Sequence, residues 1–282
     1  MSKDAAPGLL LLPGISFYTI FLAIPLAILA LYSFWTQIDF KMHPGFTTEH
    51  YREVLTTTLY RGVFLRTILV ALITTWIVVP IAYSLAYMMR FIFPRRGRVL
   101  LEIILVSMFS GYLVRIYAWR TILGKEGLLN AALIQFRIVA EPITWLIFSN
   151  WSVLITLVGL LIPLALLPIS SSMTNVAKDH LEVARDLGSR GLELHRTIVI
   201  PMVLPGISTA FAISFILAAG DFVVPTMVGG TQGVMVGNLI ADQFKGIAPN
   251  WPLGAALAFA SLTVLIATHA LSMRIVSRVT RL

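Results

Sequence analysis

The sequence contains no cysteine and few charged residues. With no cysteine among its 282 residues, the chain forms no disulfide and offers neither a thiolate nucleophile nor a cysteine ligand for a metal. Only 12% of the residues are charged, whereas 58% are hydrophobic, and the mean hydropathy is +0.88. A soluble domain cannot bury so much apolar surface, but a bilayer can cover it. The composition therefore indicates an integral membrane protein.

The sequence also lacks the motifs of a nucleotide-hydrolysing or metal-dependent enzyme. It contains no phosphate-binding loop of the form GxxxxGK[ST], and its five histidines do not have the spacing of metal ligands. A membrane-embedded enzyme would need a nucleophile with its base, or two paired carboxylates, at depth. The ionisable residues of the apolar segments are Glu102, Arg115, Asp221 and His269. These residues are too few to assemble such a constellation, so we expect the chain not to be an enzyme and to bind no cofactor or metal itself.

Six long apolar segments dominate the chain. Each is long enough to cross a hydrocarbon core of about 30 Å as a helix. A helix is expected because lipid offers the backbone no hydrogen-bond partners. The predicted helices cover residues 9–34, 67–89, 99–119, 153–170, 202–224 and 253–273. The sequence thus predicts an all-α membrane protein with six transmembrane helices in a single domain, residues 1–282.

The distribution of basic residues predicts the orientation of these helices. Twelve Lys and Arg fall before the first helix, between the second and third, between the fourth and fifth, and after the last. Seven fall in the other intervals, residues 39–64, 120–150 and 225–252. Because cytoplasmic loops carry the excess of Lys and Arg, both termini and residues 174–201 should be cytoplasmic. The net charge of +8 therefore points to membrane topology and not to nucleic-acid binding.

The charged interval between the fourth and fifth apolar segments has the pattern of two short helices. Asp179 and Glu182 are spaced as in a capping box, which predicts the start of a helix. Leu181, Ala184 and Leu187 would form its apolar stripe. A glycine at position 188 supplies the left-handed conformation that commonly ends a helix. A second amphipathic helix should follow the turn at 189–191 and re-enter the membrane near position 201.

This interval resembles the EAA motif, E-A-A-x3-G-x9-I-x-L-P, of the membrane subunits of ABC importers. The matching residues are Glu182, Ala184, Gly188, Ile198 and Pro201, while Val183 and Ile200 replace an alanine and a leucine of the motif. In that family the motif forms a cytoplasmic coupling helix that docks into a cleft of the ATPase subunit. By this resemblance the apolar stripe of Leu181, Ala184 and Leu187 should face that cleft. The resemblance implies the type I permease arrangement with a coupling loop at residues 174–201; the alternative is an ordinary amphipathic connector.

Three further segments resemble the spermidine/putrescine-type permeases of the same family. They are LVRIYAW at 113–119, GKEGLLN at 124–130 and GDFVVPTMVGG at 220–230. The resemblance implies a polyamine substrate, a polycation that carboxylates and aromatic faces bind. The candidate substrate-pathway residues are Tyr112, Arg115, Tyr117, Trp119 and Asp221.

Other interpretations of these residues stay open. Arg115 would repel a cation, a salt bridge between Arg115 and Asp221 would be structural, and Tyr and Trp also anchor helices at membrane interfaces. Iron(III), a phosphonate or another organic solute are alternative substrates. A secondary transporter is a further alternative. It would need a coupling-ion site at mid-membrane depth, and predicted helices one, two, four and six contain no central acidic residue.

The family resemblance also implies partners. These are a second permease subunit, a dimer of ATP-binding subunits, and a periplasmic or extracellular solute-binding protein. ATP and Mg²⁺ would be bound by the ATP-binding subunits and not by this chain. The chain would be a multi-pass protein of the bacterial inner membrane, in contact with membrane lipid, with no nucleic-acid partner. Residues 39–64 and 120–150 are long enough for interfacial helices and are candidates for the surface that faces the binding protein.

Overall fold

The structure, a computed structural model, describes residues 6–279 and the exposure of side chains for residues 12–274. Lys3 and Arg281, two of the basic residues used to predict orientation, lie outside the described residues. The described chain is mostly helical, which confirms the predicted fold class. A two-stranded antiparallel hairpin that the sequence analysis did not predict follows the first predicted helix. It pairs β1 (Thr36–Ile38) with β2 (Lys41–His43).

The structure contains thirteen α-helices in its described residues. Their bounds are α1 Ala6–Tyr18, α2 Ile24–Tyr32, α3 Glu49–Thr56, α4 Thr58–Tyr87, α5 Pro94–Met108, α6 Tyr112–Leu123, α7 Leu128–Gln135, α8 Asn150–Met173, α9 Lys178–Asp186, α10 Leu192–Leu194, α11 Ile200–Gly220, α12 Val236–Lys245 and α13 Trp251–Val279. π-helical turns lie at Thr19–Ala23, Met88–Ile92, His195–Val199 and Pro225–Gly229.

In the described part of the chain, five helical stretches are long and apolar enough to cross a membrane, or six if one bent pair counts as a span. The five are Leu12–Tyr32, Thr58–Ile92, Asn150–Met173, Leu192–Gly220 and Trp251–Arg274. Each contains most of one predicted helix. The stretch that ends at Gly220 starts ten residues before the predicted 202–224, because the second half of the coupling loop continues into it without a break.

The predicted third helix, residues 99–119, is wrong as a single helix. The structure divides it into α5 and α6, and a bend of 102° separates Pro94–Met108 from the stretch Tyr112–Gln135 that begins with α6. The break lies at Phe109–Gly111, where Gly111 has an extended backbone with φ −53° and ψ 142°. Glu102 and Arg115, predicted to lie on one helix, therefore lie on two helices. A hydropathy pattern could not show this bend, since the apolar residues continue through it.

Prolines follow three of the π-helical turns. Pro25, Pro94 and Pro201 each stand two residues after the turns at 19–23, 88–92 and 195–199. A proline cannot donate a backbone hydrogen bond, and inside a helix its ring collides with the carbonyl one turn before it. The helix continues through Pro25 and Pro201 with a π-helical turn before each, whereas Pro94 starts a new helix after the non-helical Phe93. Pro201, where we predicted re-entry into the membrane, thus lies within a continuing helix.

Contacts between residues divide the chain into two compact units. One contains residues up to Arg61 together with Leu239–Thr263, and the other contains Gly62–Asn238 together with the residues from Val264 onward. In the first unit, Gln37 of the hairpin donates a hydrogen bond from Nε2 to the carbonyl oxygen of Pro249 at 2.6 Å. The predicted single permease domain over residues 1–282 stays a prediction.

The second unit contains a buried apolar core around α8 and α11. Phe211, Phe215, Leu157 and Ile169 are almost completely buried in it. The two helices approach closely at Gly206, where a Cβ atom would collide with the carbonyl oxygen of Pro168. This core positions both ends of α11. One end carries the predicted coupling loop and the other carries Asp221.

Candidate coupling segment and translocation site

The predicted coupling loop, residues 174–201, is called the coupling segment below. Within it, the end of α9 has the geometry that the sequence predicted. Gly188 has φ +93° and its N–H donates to the carbonyl oxygen of Arg185 at 2.9 Å. The N–H of Ser189 donates to the carbonyl oxygen of Ala184, also at 2.9 Å. These two bonds form a Schellman motif, which satisfies carbonyl groups that the end of a helix leaves free. The left-handed glycine at position 188 is therefore confirmed, while its role in coupling stays a prediction.

The start of α9 differs from the predicted capping box. The helix begins at Lys178, so Asp179 lies inside its first turn and not before it. The backbone N–H of Ala177 donates to Nδ1 of His180 at 3.3 Å. A histidine ring, and not the carboxylate of Asp179 or Glu182, thus accepts a backbone hydrogen bond at the start of this helix. Asp179 still stands where the helix dipole favours a negative charge.

The apolar stripe predicted for α9 does not face outward as a unit. Leu181 and Ala184 are buried, at 3% and 6% exposure, and belong to the core of the second unit. The exposed apolar side chains are instead Val183, Leu187 and Leu192, at 57%, 83% and 82%. The period of a helix places residues 181 and 184 on one side and residue 183 on another. The segment is therefore fixed to the core by one side and exposes a different apolar set, here called the coupling face.

A contact that the sequence analysis missed holds the second half of this segment. The hydroxyl of Tyr83 on α4 lies 2.7 Å from Nδ1 of His195, and the ring of Tyr87 lies 4.4 Å from the His195 ring, centroid to centroid. Ile198 packs against the core, and Pro201 is exposed. Tyr83 and Tyr87 are four residues apart on α4, a spacing that could have predicted a shared face.

At the opposite end of α11, Asp221 is held by three donors. The helix ends at Gly220, and Asp221 has an extended backbone. Its Oδ1 accepts hydrogen bonds from the N–H groups of Val223 at 2.8 Å and Val224 at 3.2 Å. Its Oδ2 accepts a hydrogen bond from the hydroxyl of Tyr112 at the start of α6. Asp221 thus caps the short helical turn that follows it, as aspartate commonly does.

Tyr112, Arg115 and Asp221 line one cavity of about 580 Å³. Apolar residues of α8 and α11 form the rest of its wall, among them Leu157, Leu160, Ile216 and Leu217. The Nε of Arg115 is buried without a hydrogen-bond partner. In the described part of the chain, no ion pair joins Arg115 to Asp221, so the structural salt bridge is not formed. The site therefore presents a carboxylate and a guanidinium to the same space.

The other two predicted pathway residues do not line this cavity. Trp119 packs against α8 at Gly159, where a Cβ atom would collide with the indole ring. Tyr117 is 53% exposed on another side of α6. Of the five predicted residues, the structure thus brings together three. The sequence analysis missed Phe222, which lines the cavity and whose carbonyl oxygen accepts a hydrogen bond from Asn238 at 2.9 Å.

Comparison with known proteins identifies the family. Residues 54–281 match the family described as "binding-protein-dependent transport system inner membrane component". This chain belongs to that family. It is 34% identical over 254 residues to the spermidine/putrescine transport system permease protein PotB of Haemophilus influenzae, covering 89% of this chain and 87% of that protein. It is 33% identical over 219 residues to PotB of Escherichia coli, covering 78% of each.

The fold agrees with this assignment. The structure matches a chain of a bacterial ABC transporter that imports the acidic polysaccharide alginate, with a TM-score of 0.75 over 97% of this chain and 96% of that one. The two sequences are only 16% identical, so this likeness concerns the fold. The chain is a transmembrane permease with the ABC importer fold. The secondary-transporter and membrane-enzyme alternatives are not favoured.

Proposed function

We propose that this chain forms the translocation pathway of an ATP-driven importer for a polyamine such as spermidine or putrescine. The observation that carries the proposal is the position of Asp221, a carboxylate without an ion-pair partner in the described residues, in the wall of a largely apolar cavity. The permeases of H. influenzae and E. coli that this chain resembles are named for spermidine and putrescine. A carboxylate in an apolar cavity suits a polyamine, which is the class of solute in the names of these two permeases.

A polyamine combines ammonium groups with flexible hydrocarbon segments. An ammonium group would pair with Asp221 and lie beside the ring of Tyr112, whose face attracts cations. The hydrocarbon segments would contact the leucines of α8 in the cavity wall. Because the three hydrogen bonds to Asp221 fix its carboxylate in advance, binding need not order it.

Arg115 supports a second candidate substrate. Its guanidinium lines the same cavity, and Nε has no hydrogen-bond partner there. A phosphonate or another solute with an anionic group would bind this guanidinium, whereas a pure polycation would be repelled by it. Competition between solutes during uptake distinguishes the two candidates.

The coupling segment and the cavity lie at the two ends of one helical stretch. The segment from Leu192 to Gly220 has 29 residues, about 43 Å at 1.5 Å per residue. An ATP-binding partner subunit that docks on the coupling face (Val183, Leu187 and Leu192) would move this stretch and with it Asp221. Transport would follow by alternating access, in which each ligand shifts the equilibrium only through its different affinity for the two states.

The remaining parts of the importer follow from the same proposal. A second permease subunit would complete the pathway, two ATP-binding subunits would bind ATP and Mg²⁺, and an external binding protein would deliver the solute. The coupling segment and both termini would lie in the cytoplasm. The excess of basic residues in these intervals supports that orientation.

Uptake in whole cells tests the proposal. The chain is expressed with the genes of its partners in cells that lack their own polyamine uptake, and accumulation of radiolabelled putrescine, spermidine and an aminoalkyl phosphonate is measured. We expect saturable polyamine uptake that unlabelled polyamines inhibit and that the phosphonate does not. Accumulation of the phosphonate without accumulation of polyamines would favour the second candidate. Transport of neither class would refute both.

A further inference from the structure

A group of arginines surrounds the junction between α4 and α5, on the same side of the protein as the coupling segment. Arg95 and Arg96 lie in the first turn of α5, which contains no acidic residue, although the helix dipole disfavours cations there. In the described residues, no carboxylate lies within ion-pair distance of Arg90 or Arg98, even though Glu102 follows one turn after Arg98. The positive charge of the junction is therefore not compensated by the chain itself.

Two of these arginines line a cavity of about 290 Å³ between the ends of α4 and α8 and the start of α5. Arg90 and Arg98 share this cavity with Ser170 and Thr174. The Oγ of Ser170 is buried and has no hydrogen-bond partner, whereas Thr174 donates its hydroxyl to the carbonyl oxygen of Ser171. A buried hydroxyl normally has a partner. Two guanidinium groups and a free hydroxyl are the donors that bind a phosphate group.

An apolar cavity of about 320 Å³ lies next to the first. Its wall contains Leu85, Met88, Phe93 and Leu100, with one arginine, Arg96. The two cavities share Met89 and Gly97, which are in backbone contact, since a Cβ on Gly97 would collide with the carbonyl oxygen of Met89. A cavity with two arginines and two hydroxyl side chains in its wall and a more apolar cavity thus lie side by side at the end of a membrane-spanning helix.

We propose that this junction binds one anionic phospholipid. Its phosphate would lie between Arg90 and Arg98 and accept a hydrogen bond from Ser170, and an acyl chain would occupy the apolar cavity. Free phosphate would use the first compartment alone and would leave the second without a role. The cytoplasmic leaflet supplies anionic lipids, and basic cavities between membrane helices are suited to their head groups.

The position of the site gives such a lipid a route to the coupling segment. Met173 and Thr174 line the polar cavity and are the last residue of α8 and the one that follows it, only four residues before α9. A bound phosphate would restrain this end of α8, and hence the point from which the coupling segment leaves the helix. The lipid would in this way favour one position of that segment.

Native mass spectrometry of the full-length chain tests the proposal. The purified protein is titrated with phosphatidylglycerol, with phosphatidylcholine, and with inorganic phosphate. We expect a one-to-one complex with phosphatidylglycerol that inorganic phosphate does not displace and that phosphatidylcholine does not match. The double variant Arg90→Gln/Arg98→Gln should lower the affinity for phosphatidylglycerol by about 30-fold. Arg95→Gln, whose side chain lines neither cavity, is the matched control and should bind normally.

Each contrary result overturns the proposal in a defined way. Equal binding of phosphatidylglycerol by the wild type, the double variant and the control would show that the lipid does not use this site. Binding of inorganic phosphate that needs both arginines, without selectivity between the two lipids, would assign the site to a free anion. If the double variant does not yield folded protein, the single variants Arg98→Gln and Ser170→Val replace it, and normal lipid binding by both would refute the proposal.

Discussion

The hydroxyl of Tyr112 donates a hydrogen bond to Oδ2 of Asp221 and so joins the start of α6 to the end of α11, 109 residues later in the chain. Oδ1 of the same carboxylate accepts two backbone N–H groups. Asp221 is therefore oriented by neutral donors, and in the described residues it is not paired with a cation. A carboxylate held in this way keeps its charge available to a solute in the cavity.

Replacing Asp221 tests this role directly. In Asp221→Asn the side-chain oxygen can still accept the two backbone hydrogen bonds, so folding and assembly should be kept. The negative charge is lost, and with it a charge-assisted contact to an ammonium group. We expect the polyamine concentration for half-maximal uptake to rise by about 10- to 100-fold. Uptake kinetics in cells, with the amount of membrane protein measured in parallel, check the expectation.

Two companion variants separate this role from a structural one. Tyr112→Phe keeps the ring but removes the hydroxyl, so it should raise the half-maximal concentration less than Asp221→Asn does. Arg115→Gln should not restore the stability or the uptake of Asp221→Asn, because the two charges form no ion pair. Full restoration by Arg115→Gln would instead demonstrate a coupled charge pair. Normal uptake and stability of Asp221→Asn would remove this residue from the site.

The contact between Trp119 and Gly159 leads to a prediction about folding. A side chain at position 159 would collide with the indole ring, so Gly159→Val should overpack the contact between α6 and α8 and lower stability by about 1–3 kcal/mol. Trp119→Ala should relieve the collision, and the double variant should be more stable than Gly159→Val alone. Thermal unfolding in detergent measures this. A Gly159→Val protein as stable as the wild type would show that the contact is loose.

The sequence predicted the helical class and five of the membrane spans because each span is a continuous apolar run, which hydropathy detects directly. It did not predict the 102° break at Phe109–Gly111, since apolar residues continue on both sides of the break. The π-helical turns were missed because hydropathy does not detect one extra residue in a helical turn.

Site residues were predictable where a local backbone rule applies. Gly188 follows from helix termination, and the structure shows its Schellman hydrogen bonds. Of the stripe predicted for α9, only Leu187 is exposed, because a short apolar stripe does not reveal whether it contacts its own core or a partner. Leu181 and Ala184 contact the core. Trp119 was predicted as a pathway residue from its position near a helix end. That position does not show which side chains surround it, and Trp119 packs against Gly159 instead.

The orientation of the chain can be measured with single cysteines, because the natural sequence has none. Glu193 and Thr231 are both exposed; Glu193 lies at the start of the stretch Leu192–Gly220, and Thr231 follows the π-helical turn after its end. We expect Glu193→Cys to react with a membrane-impermeant maleimide only in inverted vesicles, and Thr231→Cys to react in intact cells. Labelling of Glu193→Cys in intact cells would place the coupling segment outside and contradict the proposed mechanism.

The exposed and buried leucines of the coupling segment should respond differently to a charge. Leu187→Asp lies on the coupling face, so the membrane protein should accumulate normally but retain little of the ATP-binding subunit. Leu181→Asp places a carboxylate in the core, where an unpaired charge is costly, so the amount of folded membrane protein should fall. Copurification of the ATP-binding subunit with a tagged permease measures both. Normal retention by Leu187→Asp and Leu192→Asp would show that another surface binds the ATPase.

The final prediction concerns Gly188, whose Schellman turn orients the coupling face. A Cβ at this position meets no atom within 4 Å, so any effect of a larger side chain comes from the backbone conformation alone. At φ +93° a branched residue such as valine is strained by about 1–2 kcal/mol. This amount is small beside the packing of the membrane helices, so Gly188→Val should insert normally. The strained turn should relax and move Leu187 and Leu192 relative to each other.

Gly188→Val should therefore retain the ATP-binding subunit weakly and support little solute-stimulated ATP hydrolysis in proteoliposomes. Gly188→Asn is the matched control, since asparagine accepts the left-handed conformation more readily, and it should keep most of both activities. Glu182→Lys should behave like Gly188→Val, because it reverses a charge in the exposed first half of α9 without touching the core. If Gly188→Val stimulates hydrolysis as well as the wild type, the left-handed turn does not set the orientation of the coupling face, and this segment is not the coupling element.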